Sequence, residues 1–313
     1  IKTVLYRYTN TSPTDWNGIP SNEKDRIQNL LNQPNNLIWP IQIACAQKLA
    51  TFFILDKKFA RECIMPLFHD ESTRHQTWAA FLAFPRITSS FSEEDVSNLL
   101  EDQIAEARNL CEYKDQGLRN NYWDVLFNFM NMQSNTSNTY DAVLKTVLYN
   151  SGFSTLSEIA KFLPYWCRQQ NDEQIDIAWK NWLKTYITNR FQGIPRDLDS
   201  EEQKALICLV PSLRGHISEA LEILSTTDNT SIDFSQDHYP VPEGYDEKEQ
   251  QQLLLFYQWK VKHQTGECDS TLLRWWLHRI LRNLTDEYPD LDLTALRETM
   301  QDQFGFTGIA GID

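Results

Sequence analysis

A long amphipathic stretch at residues 171–224 limits most strongly what this chain can fold into. Apolar side chains recur there every three or four residues, which places them on one face of a helix, and charged side chains occupy the opposite face. The repeating face consists of Ile175, Trp179, Trp182, Leu183, Tyr186, Ile187 and Arg190. Gly193 and Pro195 end the helix, and Ser200 begins the next one with the spacing of a capping box. The stretch therefore predicts a long helix, a tight turn and two further helices.

The same helical pattern continues on both sides of this stretch. Further helices are predicted over residues 21–31, 40–55, 56–68, 71–84, 92–113, 118–132, 139–149, 154–163, 246–262, 270–284 and 291–304. Ten tryptophans are matched by only ten glycines, which favours bulky helix contacts over a turn-rich β fold. Helix pairs recur roughly every 40 residues, near the period of HEAT-like arrays. We therefore predict an all-α fold, either an irregular α-solenoid of antiparallel helix pairs or a compact helical bundle.

Four regions are predicted along the chain. Because the chain starts at Ile1 rather than at methionine, we expect residues 1–20 to be a lead-in from an upstream domain. Residues 21–224 form the predicted helical-repeat region. Residues 225–245 form a polar loop, long enough to be either functional or mobile. Residues 246–313 form a carboxyl-terminal helical region.

Charge and composition exclude several classes of function. A formal net charge of −14 repels phosphate backbones and anionic lipid, so general nucleic-acid or membrane-surface binding is disfavoured. No apolar run approaches the roughly 18 residues of a membrane span. The six cysteines stand apart without a C-x-x-C pair, which is typical of reduced, mostly buried thiols. We therefore expect a cytoplasmic protein.

The chain also lacks the residue patterns of common catalytic and metal sites. There is no H-E-x-x-H or G-x-S-x-G motif, and His69 and His75 are spaced so that they do not share a helical face. Carboxylates four residues apart, such as Asp172 with Asp176, are more often a solvated helix face than an acid/base pair. We predict no catalytic residue, no metal and no cofactor. An unrecognised hydrolase stays as an alternative, which would require a pocket of convergent carboxylates or histidines.

One predicted helix carries a candidate partner-binding surface. Within residues 271–284, the apolar face consists of Leu273, Trp276, Leu277, Ile280, Leu281 and Leu284, and the opposite face consists of Arg274, Trp275, His278, Arg279 and Arg282. Tryptophan and arginine dominate protein interfaces, and arginine can hold a carboxylate at two points. The alternative is that a neighbouring acidic helix covers this face. His238 and Tyr239, in the polar loop, form a second candidate contact.

Part of the central stretch resembles a known family. The spacing W-x3-Y-x2-N-R-x2-G-x-P-x2-L-x3-E is formed by Trp182, Tyr186, Asn189, Arg190, Gly193, Pro195, Leu198 and Glu202, followed by Pro211, Leu213, Ala220 and Leu221. It is similar to the carboxyl-terminal helical region of bacterial sirtuin-type antiphage defence proteins. Segments 67–68, 78–82 and 85–86 resemble another part of that region.

The resemblance implies a function without catalysis in this chain. In such proteins an amino-terminal sirtuin-like domain hydrolyses NAD, and the helical region restrains it or recognises the invader. The sirtuin NAD-binding motifs do not occur in this sequence. We therefore expect a recognition, sensor or regulatory region that binds a phage protein or its own effector domain. A general protein scaffold or oligomerisation module is the alternative from a different class.

Overall fold

A computed structural model describes residues 16–32, 38–106, 114–132, 153–226, 241–264 and 270–304. These residues form helices and contain no β-strand, which confirms the all-α prediction. The helix predicted over residues 139–149 and the loop residues His238 and Tyr239 lie outside the described ranges. The packing of helix pairs into a solenoid stays a prediction.

The chain divides into two compact units, Ile1–Ser151 and Gly152–Asp313. The helical pattern does not predict a boundary within residues 21–224, because it is similar in each helix there. Residues 246–262 and 294–304 belong to the second unit, together with residues 153–226. Which helices share a core depends on packing between distant segments, and this is not visible in local periodicity.

The first unit contains a series of short helices. In order they are α1 (Ser21–Leu31), α2 (Ile38–Ala46), α3 (Leu49–Leu55), α4 (Lys57–Phe59), a π-helical segment (Ala60–Ile64), α5 (Pro66–His69), α6 (Arg74–Leu82), α7 (Glu93–Glu106) and α8 (Gln116–Asn131). The core is aromatic: Phe68 contacts Trp78 and Phe81 edge-to-face, with ring centroids 5.1 and 5.8 Å apart. The helix predicted as continuous over residues 40–55 is interrupted at Gln47 and Lys48.

Three buried carboxylates on one side of α7 contact basic side chains from earlier in the chain. Arg61 Nε lies 2.6 Å from Asp95 Oδ1, His69 Nδ1 lies 2.5 Å from Asp102, and His75 Nδ1 lies 2.6 Å from Glu106. Burial raises the pKa of Asp102, against the opposing effect of its bond to His69. The spacing of His69 and His75 does not predict these pairs, because the partners are about 30 residues away along the chain.

The second unit contains the amphipathic stretch at residues 171–224. Its elements are α9 (Phe153–Gln169), α10 (Asp172–Ala178), a π-helical segment (Trp179–Leu183), α11 (Lys184–Phe191), α12 (Ser200–Leu209), a 3-10 segment (Val210–His216), α13 (Ile217–Ser225), α14 (Glu247–Lys262), α15 (Ser270–Glu287) and α16 (Thr294–Phe304). Trp166 of α9 and Trp182 of the π-helical segment meet in its core, with ring centroids 5.8 Å apart. Helix α14 packs against α13, α16 and the 3-10 segment.

Two local predictions in this unit are wrong. Helix α9 was expected to stop before Pro164, but it continues through Pro164 to Gln169. Continuing the helix buries Trp166 and Cys167 completely, and this burial outweighs the hydrogen bond that proline cannot donate. The cap of α12 is Asp199, whose Oδ1 accepts from the Glu202 amide at 2.8 Å, rather than Ser200.

Candidate functional site: the arginine and tryptophan face of helix α15

Helix α15 separates its two faces as its periodicity predicts. The apolar residues Leu273, Trp276, Leu277, Ile280, Leu281 and Leu284 are all buried. On the other face, Arg274, Trp275, His278 and Arg282 are exposed and Arg279 is half-buried. We call these five residues the α15 face. Within the described ranges no acidic helix covers it, and the Trp275 side chain is 57% exposed.

The centre of the α15 face is held together by a contact between a cation and an aromatic ring. The Arg279 guanidinium carbon lies 5.2 Å from the centroid of the Trp275 ring. A pairing of this kind contributes about 0.5–1 kcal/mol at an exposed site. Arg282 lies one turn further on, and its Nε is 3.5 Å from Asp286 Oδ2. Since both of these side chains are largely exposed, this ion pair contributes little to stability.

A second cation lies beneath the α15 face, in the interior. Lys260 of α14 is buried, and its Nζ lies 5.1 Å from the Trp276 ring centroid and 5.8 Å from that of Phe256. Burial lowers the pKa of Lys260 to about 8. The sequence analysis missed this residue, because Lys260 follows the expected pattern of basic residues in the last turn of a helix.

The motif that carries the family resemblance surrounds one buried ion pair. Arg190 and Glu202 are both completely buried, with Arg190 Nε donating to Glu202 Oε1 at 2.5 Å and the NH2 group of Arg190 donating to Oε2 at 2.9 Å. The remaining NH1 group donates to the carbonyls of Ile194 and Arg196, at 2.5 and 2.9 Å. Arg190 therefore joins the end of α11, the following turn and the start of α12.

Helix α11 ends in a turn that requires a positive φ, which glycine adopts without strain. Gly193 has a φ of 74°, the Ile194 amide donates to the Asn189 carbonyl, and the Gly193 amide donates to the Arg190 carbonyl. This is a Schellman motif, which satisfies the last carbonyls of the helix. Pro195 follows after a cis peptide bond. Trp182 and Tyr186 are buried on the preceding turns of the helix. Six residues of the motif therefore stabilise the fold, and none belongs to the α15 face: Trp182, Tyr186, Arg190, Gly193, Pro195 and Glu202.

The paired carboxylates named from the sequence form ordinary ion pairs. Asp172 pairs with Arg214, and Asp176 Oδ1 lies 2.6 Å from His216 Nε2. In the part of the chain that the structure describes, no group of three or more His, Cys, Asp or Glu residues could hold a metal ion. None of the helices in these described ranges has the length together with the apolar composition of a membrane span.

Comparison of the chain with protein-family models, with curated proteins and with solved structures finds no match.

Proposed function

We propose that this chain is a non-catalytic recognition and regulatory region of a bacterial antiphage defence effector, and that it binds a phage protein or its own effector domain through the α15 face. The observation that carries the proposal is the exposed Trp275 ring with the Arg279 guanidinium against it. Tryptophan and arginine are the residues that most often dominate the energy of protein interfaces. The resemblance of the Arg190 motif supplies the defence context.

The charge of the α15 face indicates what kind of protein surface fits it. Three arginines and a histidine surround one exposed indole, in a chain whose formal net charge is −14. A complementary surface has carboxylates for the guanidinium groups and an apolar pocket for Trp275. The partner is therefore a protein with an acidic and partly apolar patch.

The experiment measures binding of the purified chain to purified phage capsid and tail proteins, and to the NAD-hydrolysing domain of a defence protein that contains this region. Trp275→Ala and Arg279→Glu should each weaken binding by roughly 30-fold, the effect of losing an interface residue worth about 2 kcal/mol. The matched controls are Tyr165→Ala, which removes another exposed aromatic ring from the second unit, and Arg297→Glu, which makes the same charge change on α16. Both controls should bind as the wild type does.

Two results would contradict the proposal. One is that none of the candidate proteins binds, and the other is that the controls weaken binding as much as the α15 variants do. A stable homo-oligomer that dissociates on Trp275→Ala, measured by sedimentation, would instead support the scaffold alternative. In that case the partner of the α15 face is a second copy of the chain.

A further inference from the structure

Two adjoining cavities lie within the second unit, away from the exposed part of the α15 face. The larger, about 240 Å³, lies between the carboxyl-terminal end of α9, the 3-10 segment and residues 241–245. The smaller, about 40 Å³, lies between α12, α14 and α15. Arg168 and Val241 line both cavities, so the two share a wall.

The charged side chains that line these cavities are mainly cationic. Arg168 and Arg214 line the larger cavity, and Lys260 and Arg279 line the smaller one. Among the described lining residues the only carboxylate is Glu243, which is exposed. Arg214 is paired with Asp172, but Arg168, Lys260 and Arg279 leave an excess of positive charge beside the cavities, in a chain with a net charge of −14. Such an excess attracts an anion.

The positive charge acts on the groups inside the unit. Burial, the larger effect, raises the pKa of the Cys208 thiol, and the nearby charges of Lys260 and Arg168 oppose that rise. Burial likewise raises the pKa of the Tyr245 hydroxyl, and the charge of Arg214 opposes it. In both cases the cation opposes the effect of burial, because a positive charge favours the ionised form of a nearby acidic group.

A buried hydroxyl lines the larger cavity without a hydrogen-bond partner. Ser212 is 2% exposed, and its Oγ bonds to no group in the described part of the chain. An unsatisfied buried hydroxyl costs about 1–3 kcal/mol. Ser212 is one of several buried polar groups without a partner in the described residues, and it is the hydroxyl among them that lines the larger cavity. A ligand in the cavity that accepts a hydrogen bond would remove this cost.

Arg214, at the wall of the larger cavity, has a strained backbone conformation. Its φ of 51° and ψ of −125° are unusual for a residue with a side chain. The conformation is supported by the ion pair with Asp172 and by the Tyr245 ring, which lies 5.8 Å from the guanidinium carbon. The Tyr245 hydroxyl in turn donates to the Pro211 carbonyl. Strain that is supported from several sides is typical of ligand sites.

We propose that the larger cavity binds a small phosphate-bearing molecule, with Arg168 and Arg214 facing the phosphate and Ser212 donating to one of its oxygens. A phosphate offers several strong acceptor oxygens and up to two negative charges, which suits two guanidinium groups and one hydroxyl. The volume is below the roughly 300 Å³ at which pockets for larger ligands begin. The ligand is therefore inorganic phosphate or a small phosphate ester.

The test is isothermal titration of the full chain with inorganic phosphate, and with glycerol phosphate to represent an ester. The wild type should bind at least one of them saturably, one molecule to one chain. Ser212→Ala should weaken binding by about tenfold, the effect of one hydrogen bond to a charged group, and Arg168→Gln should weaken it by at least as much. Arg26→Gln removes the same charge from an exposed position in the first unit and should bind as the wild type does.

Ser212→Ala also separates a ligand role from a structural one. Because the hydroxyl has no partner within the described ranges, its removal should leave the melting temperature without phosphate unchanged or higher, while the rise caused by phosphate becomes smaller. If Arg168→Gln does not fold, Ser212→Ala still tests whether the cavity binds phosphate, because it is nearly isosteric with the wild type. The proposal is overturned if the wild type shows no saturable binding, if Ser212→Ala binds like the wild type, or if acetate binds as tightly as phosphate.

Discussion

At the scale of single residues, Arg190 shows how one buried cation can fix a turn. Its guanidinium group makes two bonds to Glu202 and two to backbone carbonyls of the turn after α11. From the sequence, Gly193 and Pro195 correctly predict the end of the helix, because their effect on the backbone is local. The same pattern only places Arg190 on the repeating face of the helix. Its true partner, Glu202, lies on the next helix, and the pairing depends on how α11 and α12 pack.

Removing one member of this pair should destabilise the fold strongly. Arg190→Met leaves the Glu202 carboxylate buried without its cation, and we expect a loss of about 3–5 kcal/mol in the free energy of unfolding. Arg190→Lys should also be destabilising, because an ammonium group cannot make the same forked contacts. Urea denaturation followed by circular dichroism measures both. The double variant Arg190→Met with Glu202→Leu should lose less free energy of unfolding than Arg190→Met alone. An equal or larger loss would show that the unpaired Glu202 carboxylate does not cause the destabilisation.

The contribution of Lys260 to the stability of the fold depends on pH. Its pKa is about 8 in the folded state, against an ordinary value of 10.5. Below about pH 8 the amine is charged in both states, so the folded state bears the full cost of burying the cation. Between about pH 8 and 10.5 the unfolded state binds more protons, so the contribution of Lys260 to stability rises with pH.

Lys260→Met removes the buried charge at nearly constant volume. We expect the variant to be more stable than the wild type at about pH 7, by on the order of 1 kcal/mol, because the lost contacts with Trp276 and Phe256 offset part of the gain. The advantage should shrink at about pH 9.5. Urea unfolding at both pH values gives the difference in free energy of unfolding between the two proteins. The other titrating groups are the same in both proteins, so their effects cancel in this difference. A difference in stability that does not change with pH would contradict the lowered pKa of Lys260.

At the scale of helices, the start of α12 shows the limit of sequence patterns. Ser200 and Asp199 are adjacent and both residue types cap helices, so spacing alone does not decide between them. In the structure Asp199 accepts from the Glu202 amide, and its second oxygen accepts from the Ser157 hydroxyl of α9 at 2.8 Å. The cap is therefore chosen partly by a contact with another helix. Helix α15 is the opposite case, because its two faces follow from periodicity alone.

The two candidate caps can be compared directly. Asp199→Ala should destabilise the protein by about 1–2 kcal/mol, because it removes the cap and the bond to Ser157. Ser200→Ala should change the free energy of unfolding by less than about 0.5 kcal/mol, as is usual for an exposed position. Thermal and urea unfolding measure both changes. Equal losses in the two variants would show that Asp199 is not the cap.

At the scale of the whole molecule, the all-α class is predictable from the sequence and the division into units is not. Helix periodicity is a local property, repeated along most of the chain. The boundary between Ser151 and Gly152 instead reflects which helices bury their apolar faces together. Exposure of the α15 face could not be predicted for the same reason. The pattern shows that the face is polar, but not whether a neighbouring helix covers it.

A fragment that starts at Gly152 tests the division into units. Each unit has its own buried aromatic cluster, so residues 152–313 should give a helical circular dichroism spectrum and a cooperative unfolding transition without residues 1–151. A fragment that is unfolded, or that melts without a transition, would show that the second unit depends on the first.

The central claim is that the α15 face recognises another protein. Its most direct test is the ratio of dissociation constants of Trp275→Ala and Tyr165→Ala for the phage protein or effector domain that the wild type binds. The proposed role predicts that Trp275→Ala binds roughly 30-fold more weakly while Tyr165→Ala binds normally, with both variants folded. A ratio near one would contradict it.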